Sequence, residues 1–214
     1  AVQVARHQPM KLAAMEGLYH GHEAQAISAV AILNPDKRWD NDEDEYLFDI
    51  SIPYGLSILA KHDPNAFVPG IADIVKGVDI VNGDTVNTVS YAERIERGKA
   101  AHKALAAYDT ARKAGDKTAM ETSLKDFRAD YLYFGYGYFN SVDEAIPPVG
   151  LTFTTFRLMV ILGSYFLLFY IFTIALTYKP QLLERWRWFQ LTAMISVPFM
   201  WVCSEAGWAV AEVG

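Results

Sequence analysis

Two long apolar runs dominate the last third of the chain. Leu151–Tyr178 holds 28 residues and one charge, Arg157, while Trp188–Val213 holds 26 residues with only Glu205 and Glu212 charged. Roughly 20 apolar helical residues cross the ~30 Å hydrocarbon layer, so each run predicts a transmembrane helix. The first 150 residues alternate polar and apolar positions in shorter stretches. His7–Tyr19 predicts a short helix, with Pro9 near its start and Gly17 near its end. From His20 to Val89 the pattern is irregular, interrupted by Pro35, Pro53, Pro64 and Pro69, with short apolar runs at Ala26–Leu33 and Tyr46–Ile52. Ser90-Tyr-Ala-Glu93 forms a capping box opening a helix that Gly115 closes. A second box, Thr118–Glu121, opens another helix that runs into an aromatic patch from Tyr131 to Phe139. The fold class expected is an all-α polytopic membrane segment. It comprises a mixed, mainly helical extracytoplasmic loop domain (1–150), a transmembrane helix (151–178), a cytoplasmic loop (179–187) and a second, antiparallel transmembrane helix (188–213).

Charge sets the orientation. Residues 1–150 carry 15 Lys/Arg and 22 Asp/Glu, a balance of −7, and residues 151–214 carry 4 and 3, a balance of +1. Mean hydropathy, +0.09, averages these unlike parts. The connecting loop holds Lys179, Arg185 and Arg187 against Glu184, which places it in the cytoplasm and the acidic region outside. Trp186 and Trp188 fall where an interfacial aromatic belt belongs. A net charge of −6 without a basic stripe excludes nucleic acid as the main partner. The single cysteine, Cys203, excludes an intrachain disulfide and a cysteine-based zinc or iron–sulfur site. The first residue is not Met, no signal-peptide pattern follows it, and the last apolar run ends at Gly214. The chain reads as a segment of a longer polytopic protein.

Ionisable groups inside a span carry function by default, because leaving them unpaired costs several kcal/mol. Counted from the cytoplasmic loop at ~1.5 Å per residue, Arg157, Glu205 and Glu212 lie about 33, 27 and 37 Å up, all in the outer part of the bilayer. Trp201, Glu205, Trp208 and Glu212 share one helical stripe, a face expected to meet the bundle interior and a cofactor or proton path. A structural Arg–Glu pair is the plainer alternative. Met159, two residues past Arg157, is either core filling or a haem axial ligand, with Arg157 suited to a propionate. Lys11 and Glu16 are five apart, about 140° around a helix, so they do not form an i,i+4 pair. They are either solvated charges or the flanks of a small pocket that donates to a carbonyl and accepts a hydroxyl proton. Asp40–Glu45 resembles the start of a calcium loop but has Glu45 where glycine is needed and Ser51 at the closing position, so it reads as a solvated acidic turn. His20-Gly-His22 is a two-ligand fragment, and His62 and His102 have no partner pattern.

Three segments carry a family resemblance. Gln8-Pro-Met-Lys-Leu-Ala-Ala-Met-Glu-Gly17, Thr155-Phe-Arg-Leu-Met-Val160 and Glu205-Ala-Gly-Trp-Ala-Val-Ala-Glu-Val-Gly214 resemble subunit I of the cytochrome bd-type quinol oxidases, in the family's order. The resemblance implies a terminal oxidase of the bacterial inner membrane that oxidises quinol on the outer side and reduces dioxygen to water. It would build proton motive force without pumping. The implied cofactors are a low-spin haem b, a high-spin haem b and a haem d. The implied partners are a second subunit, the remaining helices of subunit I, membrane lipid, and ubiquinol or menaquinol. By the same resemblance, Lys11 and Glu16 match residues of quinol binding and oxidation. Met159 matches the axial ligand of the low-spin haem b, and Arg157 its supporting arginine. Glu212 matches the ligand of the high-spin haem b, with Trp208 beside it. Glu205 belongs to the motif without an assigned role. The segment alone is expected to be inactive, because it lacks the family's histidine ligands.

Two other readings account for parts of the pattern. A sensor or adaptor on a two-helix anchor explains the acidic domain but leaves the intramembrane charges idle. A proton-coupled transporter explains the intramembrane carboxylates and makes Lys11 and Glu16 incidental.

Overall fold

A computed structural model describes residues 2–81, 84–178, 181 and 185–213, which form two compact units, Ala1–Pro147 and Pro148–Gly214. The first opens with α1 (Val2–His7), which the sequence pattern did not predict, and α2 (Pro9–Glu16), inside the expected His7–Tyr19 helix. The break falls at Gln8 (φ −140°, ψ 62°), because the residue before a proline is pushed out of the helical region. Gly17 ends α2 in the left-handed conformation (φ 67°), as its position predicts.

The two short apolar runs of the irregular stretch are strands, the non-helical part of the mixed, mainly helical region expected there. β1 (Ile27–Leu33) and β2 (Tyr46–Ile52) pair antiparallel, with Val30 opposite Ile50 and Ile32 opposite Phe48. These four side chains and Ile52 are exposed on one face of the ribbon. The loop between the strands is closed by Asn34, whose N–H donates to the Glu45 carbonyl at 3.0 Å and whose side chain donates to the Asp44 carbonyl at 2.9 Å. Two small helices, α3 (Gly55–Lys61) and α4 (Ile71–Lys76), follow, then a hairpin of β3 (Val78–Val81) and β4 (Asp84–Asn87). The core of this unit gathers Ala5, Leu12, Leu18, Leu56, Ala60 and Val68, which brings α1, α2 and α3 together.

The Ser90 half of the first capping box forms as expected. Its Oγ accepts from the Glu93 N–H at 3.4 Å, and α5 (Tyr91–Ala114) runs to Gly115 in the left-handed conformation (φ 73°). The second box does not. Helix α6 (Lys117–Asp130) begins two residues earlier, with the Asp116 carboxylate accepting from Ala119 N–H at 3.1 Å. Asp is as good a cap as Ser or Thr and precedes Thr118, so it takes the position. A 3-10 helix, Tyr131–Tyr138, then lays the aromatic patch against α5, with Gly98 and Gly137 in backbone contact. Arg94 donates to the Val89 carbonyl, Thr88 Oγ1 and Tyr136 Oη, and His102 stacks on Phe134.

The second unit is a pair of helices, each long and apolar enough to cross a membrane: α7 (Val149–Thr177, 29 residues) and α8 (Arg187–Val213, 27 residues). They lie antiparallel, since Phe172 stacks on Trp186, Phe169 stacks on Phe189, Tyr165 Oη shares a 2.5 Å hydrogen bond with Ser196 Oγ, and Met159 meets Cys203 and Gly207. Such aromatic pairs add roughly 0.5–1.5 kcal/mol each beyond area burial. Lys179 and Glu184 of the connecting loop lie outside the described residues, so the loop's charge bias rests on the sequence alone.

Candidate functional site

In the first unit the chemistry centres on the end of α2. Lys11 is half-buried, and Glu16, the last residue of the helix, is only 3% exposed. Of the two readings open for this pair, solvated charge does not describe Glu16. Its burial follows from the helix, which packs Leu12, Ala13 and Ala14 into the core and carries Glu16 in with them. Gly17 turns the chain, and Gly21 then runs so close to Val68, Pro69 and Gly70 that a Cβ on it would overlap their backbone.

The beginning of β2 reaches back to this end of α2. Tyr46 Oη donates to the Glu16 carbonyl at 2.6 Å, one of the oxygens a helix end leaves without an internal donor. Glu45 Oε1 accepts from the backbone N–H of Tyr19 at 2.8 Å and of His20 at 2.7 Å. Burial raises the Glu45 carboxyl above its ordinary range, opposed by those two N–H donors and by the charges of His20 and Lys37. Burial likewise pushes the Tyr46 phenol far up, helped by the negative charges of Glu45, Glu16 and Asp49 and opposed by a hydrogen bond with Ser28. Lys37 is buried (5% exposed), donates to the Asn41 carbonyl at 2.9 Å and lies over the Tyr19 ring. The acidic turn thus divides: Asp40, Asp42, Glu43 and Asp44 are exposed as expected, but Glu45 is half-buried and structural. Nothing in the sequence distinguishes Glu45 from its acidic neighbours except that it directly precedes an apolar strand. His20 approaches Lys37 Nζ at 3.5 Å, and His22 pairs through its backbone with Val68.

In the second unit, Arg157 and Met159 lie on α7 and Glu205, Trp208 and Glu212 on α8. The Arg157 guanidinium sits over the rings of Phe153 (5.0 Å) and Phe156 (5.8 Å). Met159 is half-buried against α8: Cys203 Sγ approaches its carbonyl at 3.6 Å, and a Cβ on Gly207 would stand 3.2 Å from its sulfur. Small residues make this approach possible, and Ser196, Cys203, Gly207 and Val210 recur on one stripe of α8 that meets α7. The opposite consequence falls on the tryptophan–carboxylate stripe. Trp201 and Trp208 are 70% and 64% exposed, and Glu205 and Glu212 are exposed with them, so this face looks away from α7. The two helices therefore hold Met159 inside their contact and Glu212 outside it. Pro198 lies inside α8 and withholds the N–H that the Met194 carbonyl would otherwise receive.

Comparison with known proteins bears on the whole chain. The family model described as cytochrome bd terminal oxidase subunit I matches residues 1–214. The cytochrome bd-II ubiquinol oxidase subunit 1 of Escherichia coli (strain K12) is 28% identical over 232 residues, covering 100% of this chain and 40% of that protein. The structure of bd oxidase from Geobacillus thermodenitrificans superposes with a TM-score of 0.52 at 20% identity, over 99% of this chain and 32% of that one, a likeness of fold. The chain thus spans well under half the length of either relative.

Proposed function

We propose, because this chain belongs to the family of subunit I of the cytochrome bd terminal oxidases, that it carries the quinol-oxidising region and two haem-binding helices of an oxidase that reduces dioxygen to water. The observation that carries this reading is a glutamate buried at the end of α2 in a chain the family matches throughout. A buried carboxylate is suited to take a hydroxyl proton from a quinol, and the Lys11 ammonium to donate to the quinol's other oxygen. Glu16 then passes its proton to the outer side. Protons for water formation are drawn from the cytoplasm, so proton motive force builds without a pump.

The haems of such an enzyme (a low-spin b, a high-spin b and a d) supply one-electron transfer and the site of oxygen reduction. The residues present fit them. Met159 offers a thioether packed against Gly207, whose missing side chain lets the sulfur sit there. Arg157, two residues earlier, offers a cation for a propionate. Glu212 offers a carboxylate on a membrane helix face that α7 leaves open, with Trp208 beside it. Met159 would hold the low-spin haem b and Glu212 the high-spin one. The remaining ligands, imidazoles included, come from helices outside these residues, so this segment is inactive by itself. A second subunit, membrane lipid and ubiquinol or menaquinol complete the assembly in the bacterial inner membrane, with residues 1–150 on the outer face.

The test is Glu16→Ala in the full-length oxidase. Quinol oxidation is expected to be lost while haem content is retained; undiminished quinol oxidation per haem overturns the role given to Glu16.

A further inference from the structure

Glu45, directly before β2, and Tyr46, its first residue, hold three points of the chain around Glu16. Tyr46 Oη holds the carbonyl of Glu16 itself at 2.6 Å. Glu45 Oε1 holds the N–H groups of Tyr19 and His20, three and four residues further on, at 2.8 and 2.7 Å. The end of α2 has its own closure, Leu18 N–H to the Ala13 carbonyl at 2.9 Å, but that bond leaves both the Glu16 carbonyl and the next N–H groups to be satisfied from elsewhere. Tyr46 supplies the donor and Glu45 the acceptor, the complementary pair required. The strand itself is anchored by Leu33 opposite Tyr46 and by the Asn34 N–H on the Glu45 carbonyl.

We infer that Glu45, with Tyr46, is a positioning residue for the reaction: it fixes the turn after α2 so that the Glu16 carboxylate meets its substrate in one orientation. The inference rests on the role proposed above for Glu16. Its chemistry needs an acceptor oxygen at the end of a side chain of this length and does not need the charge. Asp, one methylene shorter, and Ala, with no acceptor, therefore both fail, while Gln succeeds. Misplacing a reacting group by about 1 Å costs on the order of 100-fold in rate, which sets the size of the effect available.

The test uses the full-length oxidase with its partner subunit, normalised per haem, and measures kcat and KM with a quinol. Oxidation of a small one-electron dye that by-passes the quinol site runs in parallel. Glu45→Ala is expected to lower kcat/KM for quinol at least ~10-fold with dye oxidation unchanged, and Glu45→Gln to return to within ~3-fold of the parent. Tyr46→Phe, which keeps the ring and removes the donor, is expected to fall between them. Wild-type quinol kinetics in Glu45→Ala overturns the inference. So does equal loss in Glu45→Gln, which would make the charge the cause, or a parallel loss of dye oxidation, which would make the damage general. Glu16→Ala in the same assay separates the two levels: if it is inactive with quinol and Glu45→Ala is normal, only the clasp fails, and if it is fully active, the role of Glu16 fails and the clasp with it.

Discussion

Gly207 offers the sharpest perturbation of the helix pair. A Cβ at this position would lie 3.2 Å from Met159 Sδ and 3.9 Å from Met159 Cγ. Ordinary non-bonded contact is about 3.5–4.0 Å, so Gly207→Ala drives the sulfur back by roughly 0.5 Å. A functional ligand tolerates about that much displacement and no more. The effect on folding nearly cancels: alanine gains up to about 1 kcal/mol over glycine in a helix, and the crowding costs a similar ~1 kcal/mol. Gly207→Val adds two branches, costs roughly 1–3 kcal/mol and displaces the thioether outright. With Met159 as the proposed ligand, the expectation is a graded change in the low-spin haem, with little change in stability for alanine. Alanine shifts its midpoint potential and its reduced α band; valine removes the low-spin signal. An optical redox titration of the full-length oxidase reads both. A low-spin haem in Gly207→Val indistinguishable from the parent refutes the reasoning, because the sulfur cannot stay where it is beside a valine.

Three further outcomes follow from the first unit. Asp116→Ala is expected to destabilise by about 1 kcal/mol and lower the thermal midpoint of the full-length protein, whereas Thr118→Ala, inside the first turn, leaves it within error. Leu56→Ala or Leu18→Ala, each at most 2% exposed in the core beneath α2, is expected to cost roughly 2–5 kcal/mol in denaturant unfolding. Glu45 has a folded pKa raised by burial, so its favourable contribution is complete below the ordinary glutamate range and is lost as pH rises through the raised value. Thermal unfolding of the parent and of Glu45→Gln should accordingly diverge: the parent's midpoint relative to the Gln variant falls between acidic and neutral pH, and a pH-independent difference would show the sign to be wrong.

The last third of the chain was legible because hydrophobic length is a one-dimensional signal. The predicted runs and the observed helices differ by at most two residues at their ends, the usual latitude of helix boundaries. Gly17 and Gly115 were legible too, since both need left-handed backbone. Strands β1 and β2 were visible only as apolar runs. Seven residues with a bulge and an exposed apolar face give no clean alternation, and the pairing partner lies across a loop that periodicity cannot see. The α6 cap was misplaced because two capping residues, Asp116 and Thr118, stood two apart and the box pattern favoured the wrong one. The clasp on Glu16 was illegible for a different reason. Glu45 is one of five acidic residues in the six from Asp40, and only the tertiary pairing of β2 with the end of α2 buries that one. The stripe of Trp201, Glu205, Trp208 and Glu212 was found correctly as one face of α8, but its direction depended on which residues let α7 approach. The small ones did, and the tryptophans turned outward.

The most direct test of the account is a reduced-minus-oxidised absorption spectrum of the full-length protein beside its Met159→Leu variant. The parent is expected to show b-type and chlorin-type bands, and the variant to lose the low-spin b signal. A parent without haem, or a variant whose low-spin haem is unchanged, would contradict the account.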